Sequence, residues 1–134
     1  VTMAITWKYK IDVADTNVFA EIENERNISF PPELKNLILN ANAATPSSYN
    51  FMVGNNERVL GAILSFNRNE SDTDSVFTAL SVIDDCDLIP FGIDPFGNYI
   101  CYSLKDNTVV FWDHETSKVD STGKTLDDFI EALY

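Results

Sequence analysis

The sequence has 134 residues, which fits a single domain over 1–134 and leaves little room for a second. It holds 9 basic and 21 acidic residues, so its formal net charge is −12. Nucleic-acid binding needs Lys and Arg to replace the counterions of phosphates, and anionic membranes repel an acidic protein, so we expect neither partner. The same charge would attract a basic protein partner. The alternative is that the negative charge only keeps the protein soluble.

Composition and cysteine usage point to a folded protein in a reducing compartment. Hydrophobic residues make up 45% of the chain, with 9 Phe and 5 Tyr, and they predict an aromatic core. Cys86 and Cys101 lack the number and spacing of a disulfide framework or a zinc site, and their apolar neighbours predict buried free thiols. No apolar run approaches a membrane span, and the start lacks the apolar stretch of a signal peptide. We therefore expect a cytoplasmic protein.

The chain opens with a predicted strand and a predicted helix. In the strand, apolar residues alternate with polar ones and predict one buried face: Ile5, Trp7, Tyr9 and Ile11. The helix shows apolar residues at helical spacing: Val18, Phe19 and Ile22. Asp15 and Thr16 are both suitable caps for its first turn.

A second helix is predicted to open at Pro31-Pro32, because the missing N–H of proline has no partner in a first turn. Residues 51–53 predict a short strand, and residues 58–66 predict a longer one rich in Val, Leu and Ile. Asp74 or Ser75 is a suitable cap for a third helix, although the β-branched residues that follow also suit a strand.

The last third gives the clearest pattern. Residues 88–91, 98–104 and 108–113 predict three strands, with a tight turn at Lys105 to Asn107. Thr125 is predicted to cap a closing helix, with Asp128 three residues on. Short turns between neighbouring strands favour antiparallel pairing. The order of elements therefore predicts an α+β fold in which helices pack on one twisted antiparallel sheet.

Candidate chemistry is sparse, and we predict no catalytic residue, no metal and no cofactor. His114 is the single histidine, and a strand-end residue that holds its turn by hydrogen bonds explains it better than a general base. Asp84, Asp85 and Asp87 are suitable ligands for a hard cation, but the EF-hand spacing is missing, which favours a solvated acidic turn. Cys101 is predicted to lie mid-strand, where a thiol is unreactive.

The segment from Ile89 to Asn98 is rich in turn residues. Gly92 and Gly97 permit backbone angles that other residues avoid, and Asp94 is suited to bond the backbone of the turn that follows. A structural connection between two core strands explains these residues. The alternative is that the turn, with neighbouring acids, presents part of a binding surface.

Acidic residues are concentrated in the interval between Arg68 and Lys105, which holds no basic residue. Such an interval predicts one strongly negative side of the molecule. We predict that five of its acids steer and contact a partner protein, with exposed aromatic residues as anchors: Glu70, Asp84, Asp85, Asp87 and Asp94.

Four segments, in this order, resemble the SUKH superfamily, which is named partly for the Smi/Knr regulators. They are Phe30 to Lys35, Leu88 to Asn98, Val109 to Glu115 and Leu126 to Leu133. The resemblance extends over roughly residues 17–134. The chain departs from the family pattern at Asn42-Ala43-Ala44, where Asn-Gly-Gly is frequent, and at Leu126, where Phe is frequent.

The resemblance implies an α+β fold and a role in protein binding. Bacterial members are mostly immunity proteins encoded beside polymorphic toxins, many of them nucleases, whereas eukaryotic and viral members act in regulation. A cognate toxin, basic in charge, is therefore the expected partner. The alternatives are a regulatory or scaffolding module without a toxin, and a metal-dependent hydrolase that uses Asp84 or Asp87.

Overall fold

The computed structural model describes residues 5–68 and 74–134. In chain order its elements are β1 (Trp7–Lys8), α1 (Val18–Arg26), α2 (Pro32–Ala41), β2 (Thr45–Pro46), β3 (Asn50–Val53), β4 (Asn56–Val59), β5 (Ala62–Ile63), α3 (Val76–Val82), β6 (Leu88–Ile93), β7 (Tyr99–Ser103), β8 (Thr108–Trp112), β9 (Val119–Ser121) and α4 (Leu126–Glu131). Every helix in this part of the chain is too short or too polar to cross a bilayer.

The strands confirm the predicted α+β class. Five of them form an antiparallel sheet in the order β5-β6-β7-β8-β9, so each strand pairs with its neighbour in sequence. Two further antiparallel pairs, β1-β2 and β3-β4, stand apart from this sheet. All five residues of β7 are buried, because elements pack on both faces of the central strand.

The core is aromatic, as the composition predicts. The Phe129 ring of α4 lies 4.9 Å from that of Phe51 and 6.4 Å from that of Phe91, in edge-on contacts that rings prefer. A second group brings Phe19 of α1 within 5.0 Å of Phe30 and 5.8 Å of Phe66. Helices and strands are thus joined to each other through phenylalanine side chains.

Local signals set most helix starts. Ser75 accepts a hydrogen bond from the Phe77 N–H at the start of α3, and Thr125 accepts one from the Asp128 N–H at the start of α4. Pro32 occupies the first turn of α2. The first helix begins after Asn17, whose own side chain makes no cap bond. The predicted cap Asp15 lies one turn earlier, where its Oδ1 accepts from the Asn17 N–H at 3.0 Å.

Two strand predictions were wrong in extent. The first strand covers only Trp7–Lys8, because Tyr9 adopts a left-handed φ of 63° and turns its side chain into solvent.

The predicted strand over 58–66 is split at Leu60 and Gly61, where the chain leaves the β3-β4 pair and joins the five-stranded sheet. The Gly61 N–H donates to the Ile93 carbonyl 2.9 Å away at this crossing. The short edge strand β9 was not predicted.

Replacing Gly92 by alanine is expected to lower the free energy of unfolding by about 1–3 kcal/mol. An added Cβ would lie 2.6 Å from Cδ1 of Leu60 and 3.3 Å from Cβ of Ile100. Both neighbours are fully buried, so neither side chain has space to move aside. Urea unfolding of the two proteins measures the difference, and an unchanged midpoint would contradict this account of the packing.

Candidate protein-interaction surface

The predicted acidic residues do not form one cluster. Asp84, Asp85 and Asp87 lie in the connection between α3 and β6, whereas Asp94 follows the last residue of β6. The rise of an extended strand separates Asp87 from Asp94 by roughly 23 Å. Glu70 lies outside the described residues. The acids near β6 are thus divided between opposite ends of the main sheet.

At the start of β6, the α3–β6 connection holds the exposed carboxylates. Asp84 and Asp85 are exposed, and Asp87 is partly exposed. Asp85 Oδ1 accepts from the Asp87 N–H at 2.9 Å, and Asp87 lies 3.9 Å from the Lys105 ammonium. An exposed ion pair of this kind contributes little to stability and neutralises one carboxylate of the three.

Arg26 fixes this connection in place. Its Nη2 donates to the carbonyl oxygens of Leu80 and Ile83 at 3.0 and 2.8 Å, at the C-terminal end of α3. Its Nη1 donates to Cys86 Sγ at 3.6 Å.

Cys86 is exposed, so the prediction that both thiols are buried was wrong for this residue, which lies in a polar connection. Cys101 is fully buried in β7, and burial raises the pKa of its thiol.

The loop between β7 and β8 adds a further acid at the same end of the sheet. The Leu104 N–H donates to the Asp87 carbonyl at 2.8 Å, which joins this loop to the acidic connection. Asp106 is exposed, and the hydrogen bond from the Thr108 hydroxyl lowers the pKa of its carboxyl group. We call Asp84, Asp85, Asp87 and Asp106 the acidic end.

The opposite end of β6 carries the turn of Asp94 to Asn98, which is held by buried hydrogen bonds. Asp94 is 6% exposed, and its Oδ1 accepts from the N–H groups of Phe96 and Asn98 at 2.9 and 2.8 Å. Its Oδ2 accepts from Asn98 Nδ2 at 2.9 Å. This confirms that Asp94 bonds the backbone of its turn. Its predicted role in partner binding stays a prediction.

His114 joins that turn to the end of β8. Because Asn98 Nδ2 faces Asp94, the amide oxygen of Asn98 faces His114. This oxygen accepts from the His114 N–H at 3.0 Å and lies 2.6 Å from its Nδ1, which therefore carries a proton. The prediction of a strand-end histidine that holds its turn is confirmed.

Phe96 projects from the tip of the same turn and is 74% exposed. Replacing it by alanine is expected to leave the free energy of unfolding within about 0.5 kcal/mol, since most of the side chain is already exposed to water. Because Phe96 lies at the other end of β6, we also expect no change in affinity for a partner bound at the acidic end. Calorimetric titration measures the affinity, and a loss of tenfold or more would move the interface to this turn.

All three arginines are folded against the protein. Besides Arg26, Arg68 lies 2.8 Å from the Glu21 carboxylate with its guanidinium 4.0 Å from the Phe77 ring centroid. The Arg58 guanidinium lies 4.6 Å from the centroid of Phe111. Among the lysines, Lys105 and Lys118 pair with aspartates, and Lys35 lies over the Phe19 ring. With these cations engaged and 21 acidic residues in the chain, the exposed surface charge is predominantly negative.

Within residues 5–68 and 74–134, no three His, Cys, Asp or Glu side chains converge as metal ligands. The three aspartates of the α3–β6 connection are neighbours in sequence but do not converge on one point. Such an arrangement presents negative charge to a large partner and does not enclose an ion.

These features define an α+β domain with one strongly acidic end. The model of the SMI1 / KNR4 family (SUKH-1) matches residues 14–132. This match extends over most of the chain, and the chain belongs to that family. No curated protein was found to match the sequence.

Proposed function

We propose that this chain is an immunity protein that binds a cognate toxin and neutralises it by protein contact, without a reaction of its own. The family match over residues 14–132 carries the proposal, since toxin immunity is a known role of the SUKH-1 family. The net charge of −12 supports a basic partner, such as a nuclease whose substrate is itself an anion. Such a protein acts by covering the groove that the toxin uses for its substrate.

The acidic end is the proposed docking surface. Its four carboxylates face solvent on two connections that meet through the Leu104–Asp87 hydrogen bond. Close spacing of like charges focuses the negative potential there and raises the rate at which a basic protein arrives. In a tight complex, the partner then excludes water from this end of the sheet. Side chains that become buried in the interface give the affinity.

Co-expression tests the proposal. The reading frame adjacent to the gene is expressed in bacteria with and without this chain. We expect arrest of growth by the neighbour alone, recovery when both are made, and co-purification of the two products in equal amounts. A neighbour that is harmless, or one that stays toxic beside the folded chain, would overturn the immunity role.

A further inference from the structure

A cleft of about 590 Å³ opens between the N-terminal ends of α2 and α4, beside the acidic end. Apolar side chains form much of its wall: Phe30, Pro31, Pro32, Leu104 and Leu126. Leu104 also belongs to the loop that bonds to Asp87, so the cleft is continuous with the acidic connection. The cleft is therefore within reach of a partner docked on the acidic end.

Two carboxylates line the cleft, one from each helix. Glu33 lies in the first turn of α2, and Asp127 lies in the first turn of α4. None of the described residues that line the cleft is basic. Apolar walls beside two carboxylates favour a cation that has apolar surface of its own.

The buried phenol of Tyr102 orients one of these acids. Its hydroxyl donates to Glu33 Oε1, and the ring is 2% exposed. Burial, followed by the hydrogen bond to Glu33, raises the pKa of Tyr102, and the charge of Asp127 acts in the same direction. The phenol thus remains a donor over the working range of pH. It holds Glu33 at the cleft wall through Oε1.

We propose that this cleft receives an arginine side chain of the protein partner. A guanidinium is planar and weakly hydrated, stacks on apolar surfaces, and carries five donors for the oxygens of Glu33 and Asp127. Asn107 also lines the cleft, and its amide oxygen lies 3.4 Å from the Tyr102 hydroxyl. A lysine ammonium is more strongly hydrated and makes fewer directed bonds, so it is the weaker occupant. The identity of the partner rests on the proposed function, whereas the preference for arginine rests on the cleft.

Titration of the full-length chain with short blocked peptides tests the pocket without any toxin. The probe is acetyl-Gly-Arg-Gly-amide, and its counterparts carry lysine or the uncharged isostere citrulline. We expect the arginine peptide to bind with millimolar affinity and to shift the NMR signals of residues 30–33, 104–107 and 125–127. We expect weaker binding of the lysine peptide and none of the citrulline peptide.

Paired variants separate the pocket from bulk charge. Asp127→Asn and Glu33→Gln are each expected to weaken binding of the arginine peptide by about threefold or more. Asp128→Asn is the matched control, because it removes the same charge from the neighbouring position of α4, where the side chain does not line the cleft. A thermal melt of each variant confirms that it is folded, and Asp127 is exposed, so its replacement is not expected to disturb folding.

Three results would each overturn the arginine pocket. The citrulline peptide could bind as well as the arginine peptide, Asp127→Asn and Asp128→Asn could have equal effects, or the signal shifts could be confined to Asp84–Asp87. Shifts that appear only through self-association of the chain would assign the cleft to a second copy and would also overturn it. Peptide binding in the cleft by a chain that fails to protect cells would retain the pocket and reject the immunity role.

Discussion

Replacement of Asp84, Asp85 and Asp87 by lysine is expected to slow association with the proposed toxin partner by roughly ten- to a hundredfold at low salt. Each reversal changes the charge by two, so three reversals move the net charge from −12 to −6. The free energy of unfolding should change little, because both interactions that are lost are exposed: the Asp87–Lys105 ion pair and the hydrogen bond from the Asp87 N–H to Asp85 Oδ1. Stopped-flow mixing at several salt concentrations measures the association rate.

A matched control separates local from overall charge. Reversal of Asp12, Asp15 and Glu115, three exposed acids in other segments, gives the same net charge. We expect it to reduce the association rate much less at physiological salt, where exposed charges are screened beyond about 8 Å. Equal slowing by both triple variants would show that the acidic end has no special part in binding.

Asp94→Ala is expected to lower the free energy of unfolding by about 2–4 kcal/mol. The substitution removes three hydrogen bonds to a carboxylate that is almost fully buried. It leaves the Phe96 and Asn98 N–H groups without their acceptor and frees the Asn98 amide that orients His114. Urea unfolding, followed by circular dichroism, measures the loss.

Asp113→Ala is the control for this prediction. The Asp113 carboxylate also accepts two backbone hydrogen bonds, from Glu115 and Thr116, but it lies in a turn that is more open to water. We expect a loss of about 1 kcal/mol there, because water replaces the missing oxygens. A loss at Asp94 no larger than the loss at Asp113 would show that the buried network does not stabilise the turn.

Much of the fold was predictable because its signals are local. Thr125 with Asp128, and Ser75 with Phe77, mark helix starts through contacts two or three residues apart. The split at Leu60 and Gly61 was not predictable, because the apolar run continues unbroken through it. The Leu60 N–H donates to the Tyr49 carbonyl, and the Gly61 N–H donates to the Ile93 carbonyl. These contacts between distant parts of the sequence decide which strand each half of the run joins.

The candidate site was predictable only in part. The acidic interval indicated a charged surface, but a strand between Asp87 and Asp94 separates charges that are neighbours in sequence. The cleft had no pattern that could reveal it, since Tyr102 and Glu33 are 69 residues apart and meet only when α2 packs on the sheet. In the sequence, acids such as Glu33 and Asp127 in the first turn of a helix are explained by the helix dipole, so nothing in the pattern indicates that they also line a cleft.

Titration of the activity of the purified toxin shows whether this chain neutralises it by occupying it, as proposed. We expect a linear loss of activity that ends at one molecule of this chain per toxin, with both proteins recovered chemically unchanged. If one chain inactivates many toxin molecules, the chain is a catalyst, and if activity persists at excess chain, the chain is not an inhibitor. Either result would overturn neutralisation by binding.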